Sequence, residues 1–104
     1  MSGGHRLDAL EQADFAAHLG TTFRLQPPDG SALDLVLLEA TAHPHLPPQP
    51  GRRRGFSVLF RSPSPRHLPQ GIYRLEHEVM GTMEVFLVPI GPREGGMCYE
   101  AVFN

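Results

Sequence analysis

The sequence has little of the chemistry that marks secreted or membrane-spanning proteins. Its 104 residues include one cysteine, Cys98, so the chain can form no internal disulfide and needs no oxidising compartment. The N-terminal segment lacks the apolar centre of a signal peptide, and no apolar run is long enough to cross a bilayer. We therefore predict a cytoplasmic protein without a membrane partner.

Lysine is absent, and all nine basic residues are arginine. Five of them fall between Arg52 and Arg66, and no acidic residue lies between Ala40 and Arg74. Such a basic island can attract phosphate or an acidic partner. The Arg run at 52–54 has no interleaved aromatic residue on which bases could stack, so we expect no nucleic-acid partner, and a solvated loop is the simpler interpretation. The candidate residues for an anionic ligand are Arg52, Arg53, Arg54 and Arg66.

Catalytic sequence motifs are also missing. The chain contains no GxSxG, GxxxxGK, GxGxxG or HExxH pattern. Cys98 could serve as a nucleophile only beside an oriented base, and its place in an expected strand favours a small structural residue. We therefore assign no catalytic residue and no cofactor, and we favour a noncatalytic protein over an enzyme.

Two histidines, His43 and His45, flank a proline, and this spacing presents two imidazoles on one side of an extended segment. Zinc needs about four ligands, three of them from protein even at a catalytic site. His67 could supply the third ligand. Because no cysteine pair accompanies these residues, a metal-dependent enzyme using His43, His45 and His67 is the weakest of three hypotheses.

The N-terminal half predicts one helix followed by strands. Apolar residues recur at helical spacing from Leu7 to Leu19, and Gly20 stands at the stop position, so we expect an amphipathic helix there. A short strand is expected from Thr21 to Leu25, before a PPDG turn. The run from Ala32 to Thr41 is mostly apolar, which predicts a strand with much of both faces covered, although periodicity alone leaves a helix open.

The remainder predicts strands and proline-rich loops. Loops at 43–54 and 62–70 flank a strand at Phe56 to Arg61 whose aromatic residues point inward. Three extended runs with short connections follow, at Ile72 to Glu78, Met83 to Pro89 and Met97 to Phe103. Consecutive hairpins of this kind are antiparallel. We predict a single domain, 1–104, mainly β within the α+β class, as a small antiparallel barrel or sandwich of five to six strands with one N-terminal helix.

Large side chains at alternating strand positions are expected in the core first. They would line a ligand pocket only if the barrel were incompletely filled. These residues are Phe56, Phe60, Tyr73, Met83, Phe86, Met97, Tyr99 and Phe103.

The densest run of ionisable residues is the trio Glu76, His77 and Glu78. Successive side chains of a strand point to opposite faces, so the trio cannot converge on one ion. On the face that carries Glu76, cross-strand charge pairing with Arg74 and Glu84 is the favoured interpretation. We expect His77 to be half-buried and hydrogen-bonded near the following hairpin rather than to act as a ligand.

Three segments carry a likeness to other proteins: FSVLFR, LPQGIYRLEHEVMGTMEVFLVPIG and YEAVFN, together with the N-terminal HLGTTFRL. They resemble a family of short bacterial proteins catalogued as a domain of unknown function. The resemblance covers most of the chain except His43 to Arg54, and it carries over no catalytic residue. It implies an accessory role in a phage-tail-like or surface assembly.

Three hypotheses about function follow. The first is a noncatalytic interaction or structural module that acts through a protein partner or self-association, with exposed edge strands available for pairing. The second is a β-barrel that binds a small anionic compound through its arginine-rich loops. The third is the metal-dependent enzyme described above.

Overall fold

Alternating apolar and polar side chains build six strands into one closed sheet. A computed structural model describes residues 10–27, 30, 32–43, 55–64, 66–93 and 96–103. Its elements are α1 Gln12–Ala16, β1 Thr22–Gln26, β2 Leu33–Ala42, β3 Phe56–Ser62, β4 Gly71–His77, β5 Gly81–Arg93 and β6 Gly96–Phe103. The strands form a closed barrel in the order β1-β2-β3-β6-β5-β4, and all neighbouring pairs are antiparallel. The predicted fold class is confirmed, as a barrel.

Closure of the sheet has a direct consequence for partner binding. β4 pairs back onto β1 through Arg24↔Glu76, Leu25↔Leu75 and Gln26↔Arg74. Each of the six described strands therefore has a partner on both sides, and closure removes the free edges on which another chain could pair. The expectation of exposed edge strands is wrong for this fold.

The strand β4 shows the alternation most clearly. Tyr73, Leu75 and His77 are buried, whereas Ile72, Arg74 and Glu76 are exposed. The turn 78–80 connects β4 to β5, and Gly81 follows it at a φ of 83°, a conformation that favours glycine. The predicted hairpin and the facing of the strand are confirmed.

The strand β2 differs from its prediction on one point. Leu33, Leu35 and Leu37 are buried, but Asp34 is exposed and Val36 is only half-buried. The expectation that both faces are covered is wrong, because a barrel strand has one inner face and its outer face meets solvent.

The helix α1 is shorter than the predicted 7–19. It begins after Glu11, whose N–H donates to Asp14 Oδ2 at 2.7 Å, and it ends at Ala16. The chain then turns to join β2, with the Gly20 N–H donating to Leu37 O at 2.8 Å. This pairing takes Gly20 to a φ of 81° and ends the helix, while residues 7–9 lie outside the described chain.

Phe15 closes one end of the barrel, which we name the helix end. Its side chain is fully buried, and its ring lies 6.4 Å from Phe23, 5.9 Å from Phe56 and 5.4 Å from Phe103, measured between ring centroids. The aromatic residues therefore fill the interior beneath α1.

The opposite end, which we name the loop end, is closed by the proline-rich connection between β3 and β4. The Leu68 N–H donates to Tyr99 Oη at 3.1 Å, and the Tyr73 hydroxyl donates to Pro69 O at 2.6 Å. The Tyr99 hydroxyl donates to Arg66 O at 3.3 Å. Two inward-pointing tyrosines thus hold this connection onto the barrel.

The predicted core residues are buried with two exceptions. Met97 is half-buried, and Phe86 is 50% exposed. Phe86 was expected in the core, and this prediction is wrong because Val85 and Leu87 take the inward positions of β5.

Candidate functional site

The trio Glu76, His77 and Glu78 occupies three different environments. Glu76 is exposed on the outer face of β4, and Glu78 is exposed in the turn that follows. His77 lies between them and is buried, with 9% of its surface exposed. The three side chains do not converge, in agreement with the sequence interpretation. His77 is the member with the most specific surroundings.

Both ring nitrogens of His77 are engaged in hydrogen bonds. Nδ1 accepts from the N–H groups of Val79 at 3.0 Å and Met80 at 3.1 Å, so this nitrogen carries no proton. The proton therefore lies on Nε2, which donates to Thr21 Oγ1 at 2.9 Å. The Thr21 hydroxyl in turn donates to His18 O at 2.6 Å. One imidazole thus ties the β4–β5 turn to the segment that follows α1.

The surroundings of His77 also favour its neutral form. Its ring lies 4.3 Å from the Phe23 ring and 4.7 Å from the His18 ring, measured between centroids. Burial lowers the pKa of His77 below its ordinary value, and His18 lowers it further, while the Glu78 carboxylate opposes both effects. A neutral ring with both nitrogens bonded is a structural element, and neither nitrogen is left to bind a metal or to take a proton from a substrate.

A shallow cleft of about 570 Å³ lies beside His77 on the outside of the barrel. It is lined by Thr22, Arg24, Asp34, Glu76, His77, Glu78, Gly81 and Thr82. The Arg24 Nε lies 3.9 Å from Asp34 Oδ1, and Glu76 is the register partner of Arg24 on the other side. Opposite charges therefore alternate across β2, β1 and β4.

The same alternation continues toward β5. Gln26 Nε2 donates to Glu76 Oε1 at 3.3 Å, and Arg74 Nη2 lies 3.6 Å from Glu84 Oε2. The expected charge pairing of Arg74 with Glu84 is confirmed. We name this outer row the charged ladder, and it comprises Arg24, Gln26, Asp34, Arg74, Glu76 and Glu84. Since these pairs are exposed, each stabilises the fold by at most about 1 kcal/mol.

Two of the three predicted metal ligands, His43 and His67, lie at opposite ends of the barrel. His43 follows β2 at the helix end, where its N–H donates to Gly55 O at 2.9 Å, whereas His67 lies in the connection at the loop end. The length of β3, roughly 20 Å, separates these two ends. His45 lies outside the described chain. Among the residues that are described, no three His, Cys, Asp or Glu side chains are grouped so that they could hold a metal ion.

The predicted anion-binding residues are only partly described. Arg66 is half-buried at the loop end, close to Tyr73. Burial raises the pKa of Tyr73, the neighbouring Tyr99 raises it as well, and the positive charge of Arg66 acts in the opposite direction. Arg52, Arg53 and Arg54 lie outside the described residues, so their role stays a prediction.

Four apolar side chains project outward from neighbouring strands β4, β5 and β6. Their exposed fractions are 69% for Ile72, 50% for Phe86, 51% for Ile90 and 56% for Val102. Ile72 and Phe86 are direct cross-strand partners. We name these four residues the apolar face.

The apolar face extends across β5 onto β6. Val88 on β5 pairs with Glu100 on β6, and two residues further toward the helix end Phe86 and Val102 follow on the same outer side. Sequence reasoning missed this surface because it assigned Phe86 to the core by residue type. The phase of Met83, Val85 and Leu87 is the signal that places Phe86 outside.

Comparison with protein families shows which family model the chain matches. The model of the family described as "Domain of unknown function (DUF6916)" matches residues 10–103. No curated protein and no solved structure matches the chain. In the part of the chain that the structure describes, no helix has the length and apolar character needed to span a membrane.

Proposed function

The chain belongs to the DUF6916 family, and we propose that it is a noncatalytic interaction module that binds a protein partner through its apolar face. The observation that carries this proposal is the exposure of Ile72, Phe86, Ile90 and Val102 on adjacent strands, each at 50% or more. Single exposed apolar residues are ordinary, but a contiguous group on one side of a domain is typical of a binding surface.

The size of the apolar face suits the centre of a protein interface. Together the four side chains expose roughly 400 Å² of apolar surface, a size at which surface patches are often functional. Burying this area contributes about 10 kcal/mol at 25 cal/mol per Å². Association costs about 4–15 kcal/mol in lost freedom of motion, so polar contacts around the apolar face are needed for stable binding.

The fold supports docking on a face of the sheet. A partner cannot add a strand to a closed barrel, whereas the outer side of β4, β5 and β6 is accessible. The filled interior, with Phe15 at one end and Leu68 at the other, also favours an outer binding surface over an inner one.

The chemistry around His77 supports a noncatalytic role. A general base needs a ring nitrogen within reach of a substrate proton, and both nitrogens of His77 are bonded to the protein itself. As part of the proposal, the module serves as an accessory component of a phage-tail-like or surface assembly. This setting is supported by the resemblance of the QGIYRLEH, FLVPI and YEAVFN segments alone.

The test compares two matched substitutions of exposed apolar residues. Phe86→Asp places a charge in the apolar face, and Val79→Asp places one at a position that is 66% exposed in the β4–β5 turn, outside that face. Each tagged chain is used for affinity capture from its native host under native conditions. We expect a reproducible partner with the wild type and with Val79→Asp, and its loss with Phe86→Asp. Capture that Phe86→Asp leaves unchanged would contradict the proposal, as would a copurifying metabolite in place of any protein.

A second candidate function is the binding of a small anionic compound at the loop end. Arg61 and Arg93 lie at the same end as Arg66, and Arg61 Nε donates to Arg93 O at 3.0 Å. Several guanidinium groups at one end favour an anion. A thermal-shift panel of phosphates, nucleotides and carboxylic acids tests this candidate, and a flat response would exclude it.

A further inference from the structure

The residues that flank the apolar face carry both signs of charge. On the side toward the helix end, Arg74 and Glu84 form an ion pair whose side chains are 57% and 63% exposed. Within the apolar face, the half-buried Glu100 on β6 pairs with Val88, which lies between Phe86 and Ile90 on β5. A surface matched to a strongly acidic or basic partner would carry one sign, whereas the exposed pair Arg74 and Glu84 carries both.

We infer that the partner bound by the apolar face is a second copy of this chain, an inference that rests on the proposed function. A two-fold interface must be complementary to itself, since each residue faces a position on the same surface of the other copy. A flank whose charges all had the same sign would repel the same flank of the second copy. The neighbouring opposite charges of Arg74 and Glu84 instead attract in such an arrangement.

The attraction holds when the two-fold axis runs parallel to the strands and passes between β4 and β5 in the plane of the interface. This axis brings Arg74 on β4 opposite Glu84 of the second copy on β5, because these two residues are register partners on either side of it. It likewise brings Ile72 opposite Phe86 of the second copy. This orientation therefore brings the centre of the apolar face onto itself and places opposite charges beside it.

The size and composition of the surface fit a dimer of ordinary dimensions. A standard interface buries about 800 Å² on each partner, with an apolar centre and a polar rim. The apolar face supplies roughly half of that area as the centre. The exposed side chains of Arg74 and Glu84 supply polar groups for the rim.

Sedimentation velocity of the full chain over a wide concentration range tests the inference. We expect a monomer–dimer equilibrium whose dissociation constant rises by roughly 30-fold or more in Phe86→Asp, as for loss of a central interface residue. Val79→Asp is the control, and we expect it to dimerise as the wild type does. Circular dichroism spectra that match the wild type confirm that both variants are folded.

A charge exchange distinguishes a second copy from an unrelated partner. Arg74→Glu makes the helix-end flank wholly acidic, and Glu84→Arg makes it wholly basic. We expect each variant alone to be monomeric, and an equimolar mixture of the two to form a heterodimer at least as stable as the wild-type dimer. A mixture that stays monomeric would overturn the inference.

The remaining outcomes separate this inference from the proposed function. A wild-type chain that is monomeric at every concentration overturns the second-copy inference, while capture of a different protein that depends on Phe86 would still support the interaction module. A dimer that Phe86→Asp leaves intact uses another surface and overturns the inference. Host capture that is also insensitive to Phe86→Asp would overturn the proposed function as well.

Discussion

Replacing His77 with alanine tests whether this buried imidazole holds the β4–β5 turn against the segment after α1. The substitution removes the acceptor for the Val79 and Met80 N–H groups and the donor to Thr21 Oγ1. Each hydrogen bond contributes roughly 0.5–1.5 kcal/mol, so we expect the free energy of unfolding to fall by about 2–4 kcal/mol. That is a large part of the 5–15 kcal/mol by which domains are typically stable.

Urea unfolding followed by far-UV circular dichroism measures this loss. All variants are compared at one protein concentration, because dimerisation would make their stability depend on it. His67→Ala removes an exposed histidine from the β3–β4 connection, and we expect a change within about 0.5 kcal/mol. In His77→Asn the amide oxygen can accept turn N–H groups as the imidazole does, so we expect part of the stability to return. A loss in His77→Ala no larger than that in His67→Ala would refute the reasoning.

The burial of His77 also predicts that the stability of the protein depends on pH. Protonating His77 places a proton on Nδ1, which then faces the Val79 and Met80 N–H groups it had accepted from. Burial and the nearby His18 lower the pKa of the folded protein below the ordinary 6.5 of the unfolded chain, against the opposing effect of Glu78. Between these two pKa values the unfolded state binds more protons, so stability rises with pH.

The contribution of His77 is thus complete above pH 6.5, falls as the pH drops from 6.5 to the folded pKa, and levels off below it. We expect the wild type to lose stability across this interval relative to His77→Ala. Parallel stability curves for the two proteins from neutral to mildly acidic pH would contradict the assigned tautomer and its protonation cost.

Five further substitutions test the packing of the barrel and the strength of an exposed ion pair. Phe15→Ala leaves a cavity at the helix end and should lower the free energy of unfolding by about 3–5 kcal/mol. Its control is Phe86→Ala, on the exposed face, which should lower the free energy of unfolding by less than about 1 kcal/mol at a concentration where the protein is monomeric. Gly96→Ala should lower the free energy of unfolding by at least about 1–3 kcal/mol, because the added Cβ would overlap a backbone carbonyl oxygen of β3. Gly71→Ala serves as the control, because the nearest atom to a Cβ added there is 3.8 Å away. Arg74→Ala breaks an exposed ion pair and should cost less than about 1 kcal/mol. Chemical denaturation measures all of them, and equal effects within either matched pair would contradict the burial and contact geometry.

Strand facing could be predicted where polar and apolar residues alternate strictly. In β4 the outward Arg74 and Glu76 are polar and stand on either side of the inward Leu75, so the period of two is visible in this part of the strand. Ile72, near the start of β4, faces outward although it is apolar. In β5 the outward Phe86 is as apolar as the inward Val85 and Leu87. Residue type alone then fails, and only the phase of the whole strand assigns Phe86 to the surface.

The helix was overpredicted because a local pattern competes with tertiary hydrogen bonds. The Ala-rich stretch up to Leu19 favours helix by propensity. The Gly20 N–H, however, bonds to Leu37 O, and the Leu37 N–H bonds to Thr21 O. These two bonds join the chain to β2 and require it to turn after Ala17. Local spacing carries no information about a partner on another strand.

Closure of the barrel and the partners of His77 depend on contacts that are distant in sequence. β1 meets β4 through Arg24 and Glu76, and His77 bonds to Thr21 across 56 residues. Periodicity shows which side of a strand is apolar, but it does not show which strands pair. The sequence could therefore predict that His77 is hydrogen-bonded near the hairpin. The structure shows that His77 is buried rather than half-buried, and it was needed to identify Thr21 as a partner.

The apolar face needs an explanation other than the fold itself. Ile72, Phe86, Ile90 and Val102 point away from the core, so they contribute little to the packing that stabilises the barrel. On neighbouring strands the equivalent outer positions carry the charged ladder, which shows that polar side chains fit the same surface. Leaving roughly 400 Å² of apolar surface in water also promotes nonspecific association. Folding does not require these side chains, and this is the reason for which we propose that they bind a partner. Because closure leaves the six described strands without a free edge, the proposed partner would dock on the face of the sheet.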